Sequence, residues 1–113
     1  MAIPDLERKR AEAILAKFCE RVPLSIRSQL MYAFMVRGNA ITLVERRPHF
    51  KNPEITTEHS FAKFVFDSAS HTWSLRWRDR NARFHPYEGF SRVRQFSDLV
   101  AEVERDPTHI FLG

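Results

Sequence analysis

Large apolar residues alternate with polar ones along TWSLRWR, residues 72–78 of the chain. This alternation predicts a β-strand, because successive side chains of a strand point to opposite faces of its sheet. The preceding segment FAKFVFD, residues 61–67, has a similar pattern and is joined to it by the four residues SASH. That loop pairs Phe66 with Trp73 and gathers the paired aromatic side chains on one face. The two segments therefore predict an antiparallel hairpin with one apolar face.

A third strand is predicted after the turn DRNA, residues 79–82. A four-residue turn pairs Trp77 with Phe84 and Arg76 with His85, so that Phe84 joins the apolar face and His85 joins the opposite face. The opposite face is then predicted to be basic. Its predicted members are Lys63, Ser74, Arg76, Arg78, Arg83 and His85.

Gly38 and Asn39 predict an earlier hairpin in SQLMYAFMVRGNAITLVERRP, residues 28–48. A glycine at the first position of a two-residue loop favours a type II′ turn, which needs a positive φ there. This loop pairs Val36 with Ile41 on the face that we assign to the core. The other face of the hairpin is also apolar, and its residues include Met31, Ala33, Met35 and Val44.

Two helices are predicted at the ends of the chain. Apolar residues recur at the helical period between Asp5 and Val22, and Pro23 ends this segment. The second helix is predicted from a cap at Ser97 to a stop at residues 106–107, which are Asp and Pro. The apolar tail THIFLG is predicted to pack against the body of the domain.

The order of these segments predicts the fold class. Residues 46–60 are polar and contain two prolines, so they are interpreted as a long loop. A chain of 113 residues predicts one domain, residues 1–113. We therefore predict an α+β fold with an N-terminal helix, an antiparallel sheet of about five strands and a C-terminal helix. The sheet is built from two hairpins and one further strand.

Charge, cysteine content and hydropathy restrict the class of protein. The net charge of +4 is mildly basic and compatible with an anionic partner. Cys19 is the only cysteine, so no intrachain disulfide forms, and we interpret it as a buried apolar residue. The N-terminal segment is too charged for a signal peptide, and the longest apolar run, residues 30–36, is too short to span a bilayer. These features predict a cytoplasmic protein without membrane association.

No catalytic or metal-binding motif is recognised in the sequence. The five histidines lack ligand spacing, and neither Cys-x-x-Cys nor HExxH accompanies them. His49 and His59 flank a segment with Glu54 and Glu58, a combination that is common in soluble proteins without a metal. The three glycines form no phosphate-binding loop. We therefore predict a protein that is not an enzyme and that holds no cofactor and no metal ion.

Three segments together resemble one protein family. They are RGNAITLVERRP at residues 37–48, AKFVFDSASHTWSLRWRDRNARFHPYEGF at 62–90 and LVAEVERDPTHIFLG at 99–113. These segments are similar to those of a bacterial family catalogued as a domain of unknown function, number 3024 in that series. The resemblance covers nearly the whole chain and implies a bacterial, stand-alone, soluble domain. It implies no activity and transfers no site residue.

Two functions remain open. The first is an interaction module, in which a second copy or a protein partner covers the face of Met31, Ala33, Met35 and Val44. The alternative is binding of nucleic acid or another polyanion, because an anion relieves the repulsion between arginines on neighbouring strands. The candidate residues for that binding are Lys63, Arg76, Arg78, Arg80, Arg83, His85, Arg92 and Arg94.

Overall fold

In the computed structural model, which describes residues 2–112, the chain forms an N-terminal helix, then a five-stranded antiparallel sheet and then a C-terminal helix. In chain order the elements are α1 (Asp5–Cys19), a short 3₁₀ helix (Leu24–Ile26), β1 (Met31–Arg37), β2 (Ala40–Pro48), β3 (Thr56–Asp67), β4 (Thr72–Arg78), β5 (Phe84–Pro86) and α2 (Phe96–Arg105). The strands lie side by side in the order β1-β2-β3-β4-β5. The predicted α+β class is confirmed.

The registers predicted for the two hairpins are also confirmed. Val36 pairs with Ile41 across β1 and β2, and Phe66 pairs with Trp73 across β3 and β4. Gly38 has a φ of +58°, while Asn39 stays outside the left-handed region, as a type II′ turn requires. Turn length and strand alternation agree at both hairpins, so each register is fixed locally.

The register of β5 differs from the prediction by one residue. Trp77 pairs with His85, and Arg78 pairs with Phe84. The cause is a turn of five residues, 79–83, in which Ala82 adopts a φ of +65°. A type I turn followed by a left-handed residue adds one residue to a hairpin loop and shifts the partner strand accordingly. Phe84 and His85 therefore exchange the faces predicted for them.

The segment 46–60 is mostly strand rather than loop. The pairing of β2 with β3 continues through Arg46 and Glu58 to Pro48 and Thr56, which leaves only residues 49–55 between the strands. The Arg46 Nε donates a hydrogen bond to the Glu58 Oε2 at 2.7 Å. Polar residues occupy both faces of this part of the hairpin, so the apolar–polar alternation that predicts a strand is missing.

Both helices pack on the same face of the sheet. Their buried side chains form one cluster with the inward residues of three strands: Ala11, Leu15, Phe18, Ile41, Leu43, Ala62, Phe64, Phe66, Trp73, Leu75, Phe96, Leu99, Val100 and Val103. The Phe96 and Trp73 rings, from α2 and β4, lie 4.7 Å apart between centroids. No helix of residues 2–112 covers the opposite face of the sheet, which we call the outer face.

The helix ends depart slightly from their predicted positions. The first helix ends at Cys19, before the predicted stop at Pro23. The second helix begins at Phe96, with Gln95 at the N-cap and no side-chain cap, so the predicted cap at Ser97 is wrong. Of the two tail residues predicted to pack on the body, Phe111 is buried, with its ring centroid 5.1 Å from that of Tyr87, whereas Ile110 is 37% exposed.

Candidate anion-binding face

Four side chains on β3, β4 and β5 form a basic cluster on the outer face, and we call it the basic face. It consists of Lys63, Arg76, Arg78 and Phe84. Lys63 lies opposite Arg76, and Arg78 lies opposite Phe84, so register places all four on one side of the sheet. The Lys63 Nζ lies 5.2 Å from the centroid of the Phe84 ring, which means that the lysine reaches across β4.

The cations of the basic face have no carboxylate partner among residues 2–112. None of Lys63, Arg76 and Arg78 forms an ion pair there. Two carboxylates of β2 and β3 pair with other arginines, since Glu58 pairs with Arg46 and Glu45 pairs with Arg47. Asp67, at the end of β3, lines the same groove as Arg76 but forms no ion pair with it. Like charges directly opposite one another destabilise a sheet. The arrangement therefore keeps an unneutralised positive charge next to an aromatic ring.

Other predicted cations lie apart from the basic face. Arg80 and Arg83 are exposed in the turn between β4 and β5, at one end of the face. Arg92 is exposed beside Val93, which bridges to Trp73 of β4. A cavity of about 320 Å³ is lined by Glu7, Arg10, His71 and Arg94, among other residues, and lies next to α1. Of the eight candidate binding residues predicted from the sequence, the structure thus brings three into one cluster, namely Lys63, Arg76 and Arg78.

His85 lies on the side of the sheet opposite the basic face. Its ring packs against Trp77 at 4.8 Å between centroids, and its Nε2 donates a hydrogen bond to the Asp79 Oδ2 at 2.6 Å. This bond, with the backbone N–H groups of Arg83 and Asn81, lowers the pKa of Asp79 to about 2. Asp79 is therefore ionised at neutral pH and holds both the turn and His85. Because of the one-residue shift, His85 belongs to this clamp and not to the anion-binding candidates.

A polar groove extends the basic face along β4. It encloses about 440 Å³, and its walls include Arg76, Ser74, Val65, Asn39, Ser91 and one carboxylate, that of Asp67. This volume falls within the range of about 300–1,000 Å³ that is usual for ligand sites. Because Arg76 belongs both to the groove wall and to the basic face, the two surfaces are continuous.

Comparison with known protein families identifies the family of this chain. A family model described as "Domain of unknown function (DUF3024)" matches residues 3–113. The chain belongs to the DUF3024 family. No curated protein and no solved structure matches it. The resemblance read from the three sequence segments is confirmed, and membership of DUF3024 assigns no activity.

The apolar half of the outer face of this DUF3024 chain lies over β1 and β2. Met31 and Met35 are 38% and 45% exposed, and Ala33 is half-buried. Val44 is only 1% exposed, so it cannot offer side-chain surface to a partner, unlike the prediction. The pairing of β2 with β3 shifts between Leu43 and Val44, and such a bulge increases the local twist of the sheet.

Three further observations concern membrane spans, metal binding and thiol reactivity in the DUF3024 chain. Within residues 2–112, no helix is long and apolar enough to cross a membrane. The same residues contain no cluster of three or more His, Cys, Asp or Glu side chains arranged to hold a metal ion. Burial raises the pKa of the Cys19 thiol, which disfavours the reactive thiolate.

Proposed function

We propose that the basic face of this DUF3024 domain binds an anionic polymer, namely nucleic acid. The observation that supports the proposal is the set of three cations, Lys63, Arg76 and Arg78, on a sheet face without helical cover and without carboxylate partners in residues 2–112. A structural role alone would favour a partner of opposite charge opposite Arg76, and Lys63 is there instead.

Phosphate groups match the chemistry of this face. An arginine guanidinium donates two parallel hydrogen bonds to a phosphate, and a lysine contributes a point charge. Each phosphate that is neutralised also releases condensed counterions, which favours binding at low salt. Arg76 and Arg78 are half-buried, so their side chains are less free than those of fully exposed arginines before a ligand arrives.

Removing the three charges tests the proposal. The variant Lys63→Gln/Arg76→Gln/Arg78→Gln keeps long polar stems and lowers the net charge by three. We expect its affinity for a labelled oligonucleotide, measured by fluorescence anisotropy, to fall at least about tenfold at low salt. For the wild type, the logarithm of affinity should fall with the logarithm of salt concentration with a slope of about −2, since each single-strand phosphate contributes about −0.7.

The matched control removes three charges elsewhere. Lys9, Lys17 and Arg21 are exposed on or just after α1, so their replacement by Gln lowers net charge equally. This control should bind as the wild type does. An equal loss in both triple variants would assign binding to net charge alone, and unchanged binding in the first variant would reject the basic face as the site.

Self-association through β1 is a second candidate function. β1 is an edge strand, and its register with β2 is regular over seven residues without a bulge. It also lacks the proline or inward charge with which edge strands usually block pairing. Its one charged residue, Arg37, is at the end, so antiparallel pairing with a second copy centred on Phe34 places Arg37 opposite Met31.

A charge at the edge tests this second candidate. We expect wild-type protein at high salt to show twice the chain mass of 13.4 kDa by light scattering, and Met35→Lys to show the chain mass itself. Val65→Lys is the control, because Val65 lies on β3, away from the edge. A concentration of about 100 μM is well above the dissociation constants of stable dimers, so a wild-type monomer there would exclude self-association through β1.

A further inference from the structure

We infer that the nucleic acid bound by the basic face is single-stranded and that one of its bases stacks on the ring of Phe84. This inference rests on the proposed function and names its ligand more narrowly. The decisive feature is the register of β5, which places an aromatic ring opposite Arg78 and within 5.2 Å of the Lys63 Nζ on the outer face.

The core does not account for Phe84. Of the ten phenylalanines in the chain, eight belong to the hydrophobic core or pack against it. The other two are Phe50, which is 85% exposed in the loop after β2, and Phe84. Phe84 is half-buried on the outer face and lies outside the core cluster, so part of its ring remains open to a ligand. Within residues 2–112, the Lys63 ammonium is the only cation that lies over the Phe84 ring.

A base is a better cover for this ring than Lys63. An exposed cation–π contact is weaker than the stacking of a nucleic acid base on an aromatic side chain. A base can therefore displace the lysine from the ring, and the lysine then becomes available to a phosphate on either side of that base. Aromatic side chains combined with unpaired basic side chains are the combination that binds single strands without sequence preference.

The polar groove gives the single-stranded nucleic acid a path along the sheet. Phe84 lies opposite Arg78 near one end of β4, while Ser74 and Arg76 on the same strand line the groove of about 440 Å³. A single strand that follows β4 meets the ring first, then Arg76, and then the groove. A duplex keeps its bases stacked on one another, so it can meet the cations but cannot present a base to Phe84.

The test removes the aromatic ring and keeps an apolar side chain of somewhat smaller volume. Phe84→Leu is compared with Phe84→Tyr, which retains a ring, on three probes: an oligothymidine of about twelve nucleotides, the same length of duplex, and inorganic polyphosphate. We expect Phe84→Leu to weaken oligothymidine binding about tenfold and to leave polyphosphate binding unchanged, with Phe84→Tyr near the wild type. Thermal melting of Phe84→Leu should match the wild type, because Phe84 lies outside the core.

The contradicting outcomes separate the two proposals. If Phe84→Leu binds oligothymidine as tightly as the wild type while the triple glutamine variant does not, the cations bind the backbone alone and the stacking inference is wrong. Equal wild-type affinity for duplex and single strand overturns it as well. Wild-type protein that binds none of the three probes overturns the proposed function itself, and the inference with it.

Discussion

Replacing Val44 with Asp is expected to unfold the domain or to lower its melting temperature by about 15 °C or more. Val44 is 1% exposed although it lies on the outer face. A carboxylate at this position must either lose its water or bind a proton, and both are costly. We expect a loss of about 4 kcal/mol or more, out of a total stability of about 5–15 kcal/mol for a typical domain.

Val65→Asp is the matched control for that variant. Val65 lies on the same face but is half-buried, and it lines the groove beside Arg76. The same substitution there leaves the carboxylate in contact with water and near a cation, so we expect a loss of about 1 kcal/mol. Urea denaturation followed by circular dichroism measures both values. Equal losses would show that Val44 is no better covered in the monomer than Val65.

The parts of the fold that the sequence predicted correctly depend on local signals. Gly38 specifies a two-residue turn, and the alternation on either side of it leaves one register that groups the apolar residues. The loop between Phe66 and Trp73 behaves in the same way. Where turn length and alternation agree, the strand partners and the inward face follow from the residues alone.

The β5 strand was mispredicted because its turn carries no glycine signal. Ala82 takes the left-handed conformation in which a glycine or asparagine is usual, and the carboxylate of Asp79 holds the turn through the N–H groups of Asn81 and Arg83. One extra residue moves Phe84 from the predicted core face to the basic face. That single shift changes the candidate site from a set of cations to a set of cations around a ring.

Two other features of the structure could not be predicted because no local pattern in the sequence indicates them. The polar ends of β2 and β3 pair through Arg46 and Glu58, but neither face of this part of the hairpin is apolar. The bulge opposite Val44 depends on how β3 is placed against β2, which is a long-range property. The apolar face predicted as an interface was therefore identified correctly as apolar at Met31 and Met35, but the burial of Val44 could not be read from it.

The carboxylate of Asp106 holds the C-terminal tail, and its removal is the second substitution for which we expect a large loss of stability. Asp106 is buried, ends α2 with a φ of +42°, and accepts hydrogen bonds from the backbone N–H groups of Phe111 and Leu112 at 2.9 and 2.8 Å. Residues 109–112 in turn line a cavity of about 360 Å³ that Arg78 also borders. The two hydrogen bonds of Asp106 thus hold the tail next to a cavity that Arg78 also borders.

Asp106→Ala is expected to cost about 3 kcal/mol, since it leaves two backbone donors without a charged acceptor and forces alanine into the left-handed region. At roughly 4 °C per kcal/mol for a domain of this size, the melting temperature should fall by about 12 °C. Asp106→Asn tolerates the same backbone conformation and keeps one acceptor oxygen, so its loss should be about half as large. Faster hydrogen exchange at Phe111 and Leu112 should accompany both losses, because these amides are then open to water. An alanine variant as stable as the wild type would mean that packing of Phe111, and not the carboxylate, holds the tail.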